Sequence, residues 1–327
     1  MKNLEKTVNK YIKGLKKKFP RFDKYLKLCN EISSHVIDIY DAEIVPTDLS
    51  HSTYFSNIDS VYLALEIINN ISPELGMMFV KKINDRSIML VKGEFSYTSV
   101  QNDIVYSKVE QTNTFQDAIV LIHEFFHNVH LDLYKGDINN EDFYFFTEIF
   151  GIFADIYSAY YLIYSRKEYV EDSKIFLSKV FNGVVGHSDV TLIKGTILDI
   201  YNEFKSLDDS AISNYVVNHN LSEAYLDILS FEKDVDKSAY HQSSIYVFAF
   251  PIAFDLAFNL LCIKDYSVKF KDMFLNINKY KPEEWLHKLD LDTHFDNSEE
   301  LLNIMNNIYH NIKDVYGENK VKKLGGL

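Results

Sequence analysis

Cysteine, proline and glycine are scarce in this chain, and each scarcity excludes something. Two cysteines, Cys29 and Cys262, in 327 residues cannot build a disulfide framework; they fit a reducing compartment, and a cytoplasmic location is expected. Both read as small buried hydrophobes rather than nucleophiles. Five prolines, none between Pro73 and Pro251, and eleven glycines leave too few breakers for an all-β sandwich or a flexible linker, so helix is expected to dominate. No window holds eighteen uninterrupted apolar residues, and the basic N-terminus MKNLEKTVNKYIKGLKKK has no apolar stretch behind it. Neither a transmembrane segment nor a secretory signal is expected.

What the chain does have is apolar content and negative charge. Hydrophobic residues make up 47%, enough to bury a continuous core. The net charge of −13 is uneven: residues 1–28 carry ten Lys or Arg against two acids, which leaves −21 on the remainder. A body so acidic argues against a nucleic-acid face, and the basic first helix reads as a solvated surface in preference to a contact for an anionic membrane or an acidic partner. Without repeats or low-complexity tracts, the simplest partition is a basic amphipathic helix over 1–29 and one catalytic domain over 30–327. SNIDSVYLALEIINNIS has apolar residues at helical spacing with Pro73 just beyond. Residues 87–109 are β-branched, aromatic and partly alternating, which predicts a small antiparallel sheet. From Thr114 helical periodicity resumes, with Thr114 expected as N-cap and Asp117 as the acid of the first turn.

That helix contains His123-Glu124-Phe125-Phe126-His127. Residues four apart share a helix face, so both imidazoles can reach one ion, while Glu124, beside the first, can reach a water on it. The spacing is that of zinc hydrolases, which need a third protein ligand. Glu148 follows His127 after twenty intervening residues and a polar turn, on a second helix expected to pack antiparallel to the first. Gly151 and Asp155 fall on the same stripe as Glu148. Gly151 would let the helices approach closely, and Asp155 would accept from the free N–H of a ligating histidine.

In these segments the sequence resembles the oligoendopeptidase F and thimet oligopeptidase type of zinc metallopeptidase. TFQDAIVLIHEFFHNVH is similar to that family's HExGHxxH helix, with His123, Glu124, His127 and His130 matching. FTEIFGIFADIY resembles its second helix, where a ligand Glu is followed seven residues later by another acid, here Asp155. VIDIYDAEI, the SPELG helix end, VKGEFSYTS and INKYKPEEWLHKLDLD match further segments in the same order. The resemblance implies a mainly α, zincin-type catalytic domain with a small sheet beside the active-site helix. It also implies one Zn²⁺ per chain on His123, His127 and Glu148, with Asp155 and His130 behind the ligands and Glu124 as general base. A peptide is the implied substrate, docking on an edge strand of the sheet.

Three departures stand out. Phe126 replaces the glycine usual between the motif histidines and is expected to narrow the cleft. Most of the family's N-terminal half is absent. In SAYHQSSIYVFAFPIAF the resemblance points to His241 and Tyr246, with Tyr240, as substrate and oxyanion contacts, but Phe248 and Phe250 stand where tyrosines are expected. The alternative is therefore a zinc-binding peptide scaffold with weakened or lost turnover. His187 reads as a turn histidine, and the Tyr157, Tyr160, Tyr161, Tyr164 series as a packing stripe.

Overall fold

The computed structural model describes residues 31–34, 54–136, 141–232, 238–291 and 299–307, and helix dominates them. The basic segment 1–29, the VIDIYDAEI segment and Cys29 lie outside these residues. The chain divides into two compact units, Met1–Asp41 with Val184–Phe248 and Ala42–Gly183 with Ala249–Leu327.

The larger unit opens with helix α1, Asn57–Ile71. Its start follows from Ser56 and Asp59, which form a reciprocal capping box that also holds the Asp59 carboxyl below its usual range. Leu63, Ala64, Ile67, Ile68 and Ile71 form its buried stripe. Ser72 then closes α1 and precedes Pro73, the first residue of α2, Pro73–Asn84. SPELG is thus a helix junction as well as a helix end.

Strands β1 (Ile88–Val91), β2 (Tyr97–Gln101) and β3 (Ile104–Glu110) form a sheet in the order β1-β3-β2. Asn102 and Asp103, both at positive φ (52° and 62°), make the two-residue turn that pairs β2 antiparallel with β3. Because β3 enters between the other two strands, it runs parallel to β1, and the sheet is mixed where an antiparallel one was expected. Val105, Ser107 and Val109 are the buried positions of β3, alternating as the pleat requires.

Helix α3, Gln116–Leu133, carries Asp117 as the acid of its first turn, as expected, but Thr114 is not its N-cap. Phe115 stands at the cap position with helical dihedrals and no side-chain cap, and Thr114 contributes only its carbonyl, to the Asp117 amide. Asp117 turns back instead, accepting from the amides of Thr112 and Asn113 and from the Thr112 hydroxyl at 2.5 Å. The acid fastens the incoming loop because Asn113, at φ 60°, aims those amides toward it.

Helix α4, Glu141–Ser165, packs against α3. Contacts of His123 with Asp155 and of His130 with Thr147 run in opposite chain directions, so the two helices are antiparallel. Beside them the unit's core is aromatic. Phe126 meets Phe125, Phe153, Phe270 and Phe274, while Trp285 meets Phe146 and Phe150. Phe270 and Phe274 come from helix Tyr266–Leu275 and Trp285 from a short helix, Pro282–Lys288. Phe126 is fully buried there, in place of the narrowed cleft expected of it. The tyrosine stripe packs in part: Tyr157 and Tyr160 are buried, with Tyr157 bonded by Asn70, and Tyr161 bonds Glu66, which also pairs with Arg166, but Tyr164 is exposed, contrary to the packing role expected of it.

The smaller unit is built from parts of two long helices, Val170–Phe204 and Ser238–Cys262, together with helices Asp209–Asn218 and Ala224–Glu232. Its core includes Ile200, Tyr201, Leu207, Ile212, Val216 and Leu229. Within Ser238–Cys262, the stretch Ile245–Cys262 is long and apolar enough to cross a membrane, but most of it is buried inside the protein, as in a core helix. Cys262, at its end, is exposed, contrary to the buried position expected.

The full burial of Phe126 makes a stability prediction. Phe126→Ala should destabilise the protein by about 3–5 kcal/mol, the range for emptying an aromatic site in a close-packed core. Chemical denaturation checks it; a loss under 1 kcal/mol would mean that the neighbouring rings collapse into the space.

Candidate functional site

Helical spacing puts His123 and His127 one turn apart on the face of α3 turned to α4. Their rings cross at 83° with centroids 4.5 Å apart, and the two Nε2 atoms stand 2.8 Å from one another. His123 Nδ1 lies 3.1 Å from Asp155 Oδ2. Asp155 is buried, and the ring nitrogen is its partner across the helix interface.

The room for this arrangement comes from Gly151. A Cβ built there would stand 2.7 Å from Cε1 and Nε2 of His123 and from Cε1 of His127, closer than van der Waals contact permits. Any larger residue at 151 therefore competes with the imidazoles for the same space.

The charges around His123 are unbalanced. Burial disfavours its charged form, but Asp155 above all, then Glu124 and Glu148, outweigh this and push the ring up to about 9. His127 goes the other way, held well below the usual histidine range by burial and by the neighbouring His123 and His130. A charged His123 donates from Nδ1 to Asp155 and from Nε2 to His127. His127 then carries its own proton on Nδ1, which is buried with no partner among the described residues. Leaving such a donor unpaired costs about 1–3 kcal/mol.

Glu124 is buried, and its carboxyl is raised by burial against the lowering influence of His123 and of Thr98. Thr98 Oγ1 donates to Glu124 Oε2 at 2.5 Å. Burial likewise raises Glu148, with His123 opposing and Glu124 and Asp155 adding to the shift. His130 sits deeper. Its ring stacks on Phe143 and its Nδ1 is 2.9 Å from Thr147 Oγ1, while burial drives it down to about 3, so it is neutral.

The donor chemistry fits a divalent cation of zinc type: two imidazole Nε2 atoms face one point, a carboxylate backs one ring, and further carboxyls surround it. The fit is incomplete in two respects. Among the described residues no group of three or more His, Cys, Asp or Glu side chains is placed to hold a metal ion. The nitrogens are also closer than the roughly 3.3 Å that two ligands of a tetrahedral zinc require, as expected of a pair that shares a proton.

His241 and Tyr246 belong to the smaller unit. Tyr246 is half-buried with its ring 4.4 Å from that of His187, whose Nδ1 lies 3.1 Å from Ser243 Oγ. His187 is thus a helix-interior residue and not the turn histidine expected, because Gly183 and Gly186 continue the helix instead of breaking it. His241 lies on the same helix as Tyr246; its side chain is outside the described residues. Phe248 and Phe250 are buried packing residues of their units.

Sequence reasoning missed Thr98, Ser107 and Asn128, which link Glu124 to the sheet. The available signal was a pair of hydroxyl residues at inward positions of alternating strands, with Asn128 one turn beyond Glu124.

No protein-family model and no curated protein matches the chain. Among solved structures, PZ peptidase A with inhibitor 2 is similar over 96% of this chain and 59% of its own, at TM-score 0.58 and 12% identity. A chain assigned as an oligoendopeptidase F from Bacillus anthracis str. Ames is similar over 81% of this chain and 48% of its own, at TM-score 0.56 and 14% identity. The mainly helical fold with its small sheet is therefore one that peptidases adopt, and this chain spans roughly half of each matched chain.

Gly151→Ala tests how tightly the helices are held. Alanine in a helix is favoured by about 1 kcal/mol over glycine, whereas overpacking costs about 1–3 kcal/mol. We expect a net loss of up to about 2 kcal/mol with displacement of the imidazoles, read by thermal melting. A raised Tm, as an unhindered glycine would give, refutes the close approach.

Proposed function

We propose that the chain is a zinc-dependent peptidase in which His123, His127 and Glu148 hold the metal. The observation that carries this reading is the convergence of His123 and His127 at one point, with Asp155 on the first ring and Glu124 beside them. The fold shared with two peptidases supports it. So does the excess of carboxyls around His123, which a cation would relieve and which burial now penalises. Glu148 would complete the set by rotation of its flexible side chain.

Zinc bound there would bring the pKa of a water toward about 7 and polarise a carbonyl. Glu124 supplies the base: its carboxylate takes the proton of the attacking water and returns it to the leaving amine. Asp155 orients His123 by accepting its Nδ1–H, which fixes Nε2 as the ligating atom. Strand β2 pairs with β3 alone among the described residues, so its other side is free to receive an extended peptide through backbone hydrogen bonds. Thr98 on that strand touches Glu124, which would bring the scissile bond to the base. The proposed substrate-binding roles of His241 and Tyr246 rest on the sequence resemblance.

A second reading, a metal-binding peptide scaffold without turnover, draws on the absence of a converged third donor among the described residues. Metal analysis with hydrolysis of an internally quenched peptide pool separates the two. We expect about one zinc per chain and a higher Tm on loading, with most of the metal lost in Glu148→Ala. Glu124→Gln should keep zinc and fold while turnover falls at least about a hundredfold. A zinc-loaded wild type with no turnover would favour the scaffold, and full zinc in Glu148→Ala would place the third ligand elsewhere.

A further inference from the structure

Behind Glu124 runs a set of buried and half-buried polar side chains whose bonds to one another the proposed chemistry does not use. Asn128 Nδ2 is 3.2 Å from the Ser87 carbonyl and 3.0 Å from Ser107 Oγ; Ser107 Oγ is 2.6 Å from Thr98 Oγ1; and Thr98 Oγ1 is 2.5 Å from Glu124 Oε2. Ser107 and Asn128 are fully buried. The strand register creates the middle link, since Thr98 and Ser107 are direct cross-strand partners on the face toward α3.

We propose that Thr98, Ser107 and Asn128 are positioning residues, a one-way hydrogen-bond chain that holds Glu124 by a single carboxylate oxygen. The inference rests on Glu124 being the general base. Both ends impose the direction. The Ser87 carbonyl only accepts, so the Asn128 amide must turn its nitrogen toward it, and that nitrogen can only donate to Ser107. At the other end an ionised Glu124 only accepts, so the single Thr98 hydrogen goes to Oε2. Ser107 then has its own hydrogen for Thr98, and each donor from Asn128 through Ser107 to Thr98 sends a hydrogen along the chain toward the carboxylate. Thr98 and Ser107 also lie 3.4 Å from the Glu124 carbonyl, but their hydrogens go to the shorter partners. Bonds polarised in one direction reinforce each other, and the one to a charged acceptor is the strongest. Oε2 is thereby committed to the chain. Oε1 lies outside it and is the oxygen available to the reacting water.

A chain that merely fastened sheet to helix would show the same distances, so the test uses readouts that fastening alone leaves unmoved. In zinc-loaded enzyme acting on an internally quenched peptide pool, Thr98→Val should lower kcat at least about tenfold, with KM and zinc content within about twofold. Thr98→Ser, which restores the hydroxyl, should return kcat to within about threefold of wild type. In crystals of the metal-free protein, the Glu124 carboxylate should leave its position in Thr98→Val and keep it in Thr98→Ser. Wild-type kcat in Thr98→Val with Glu124 unmoved, even alongside a lowered Tm, overturns the proposal. If Thr98→Val does not fold, Ser107→Ala is read by the same two criteria. Glu124→Gln separates the layers: wild-type turnover in that variant overturns the general-base reading and this inference with it. An inactive Glu124→Gln beside a fully active Thr98→Val overturns the positioning chain alone.

Discussion

How closely α4 can approach α3 decides what the candidate site is. Gly151 lies directly under the imidazoles of His123 and His127, and the space a methyl group would fill there is occupied by their rings. That approach lets the Asp155 carboxylate reach His123 across the interface. On the other side of the same helix pair, Phe126, Phe150 and Phe153 interlock with Phe270, Phe274 and Trp285. Aromatic packing on one flank holds the separation, and the glycine makes that separation small enough for polar contact on the other. Phe126 therefore contributes to the frame that keeps the histidines in place.

The polar flank gathers more carboxyl groups than cationic side chains around His123. Burial raises both Glu124 and Glu148, and Asp155, with these two adding to it, reverses what burial does to the His123 ring. A site that keeps several carboxyls away from water, with His127 Nδ1 unpaired among the described residues, carries a desolvation penalty. Cation binding relieves that penalty, which is the physical content of the zinc proposal. His130, four residues from Phe126 on α3, contributes no charge: its neutral ring is a packing surface against Phe143 and a partner for Thr147.

The sheet enters the chemistry through its register. A slip of one residue between β2 and β3 would turn Thr98 away from the helix and disconnect Glu124 from Ser107. The Asn102-Asp103 turn, with both residues at positive φ, sets that register. A turn at the far end of the hairpin thus controls which hydroxyl meets the carboxylate.

Local patterns were legible without coordinates: the helical dominance, the strand content of 87–109, the histidine pair one turn apart, and the second helix bearing Glu148, Gly151 and Asp155. Each depends on spacing within one element, which periodicity encodes directly. Other features were not legible because they depend on partners distant in the chain. The parallel pairing of β1 with β3 follows from which strand enters the middle of the sheet. Asp117 caps a loop rather than its own helix because Asn113 turns the preceding amides toward it. The burial of Phe126 and the exposure of Cys262 were set by the elements packed around them. Thr98, Ser107 and Asn128 are unremarkable residues in sequence, and only a sheet laid on α3 in one register joins them to Glu124. Spacing along one element fixes which side chains share a face; the contact between faces, and hence the chemistry, is decided by tertiary packing.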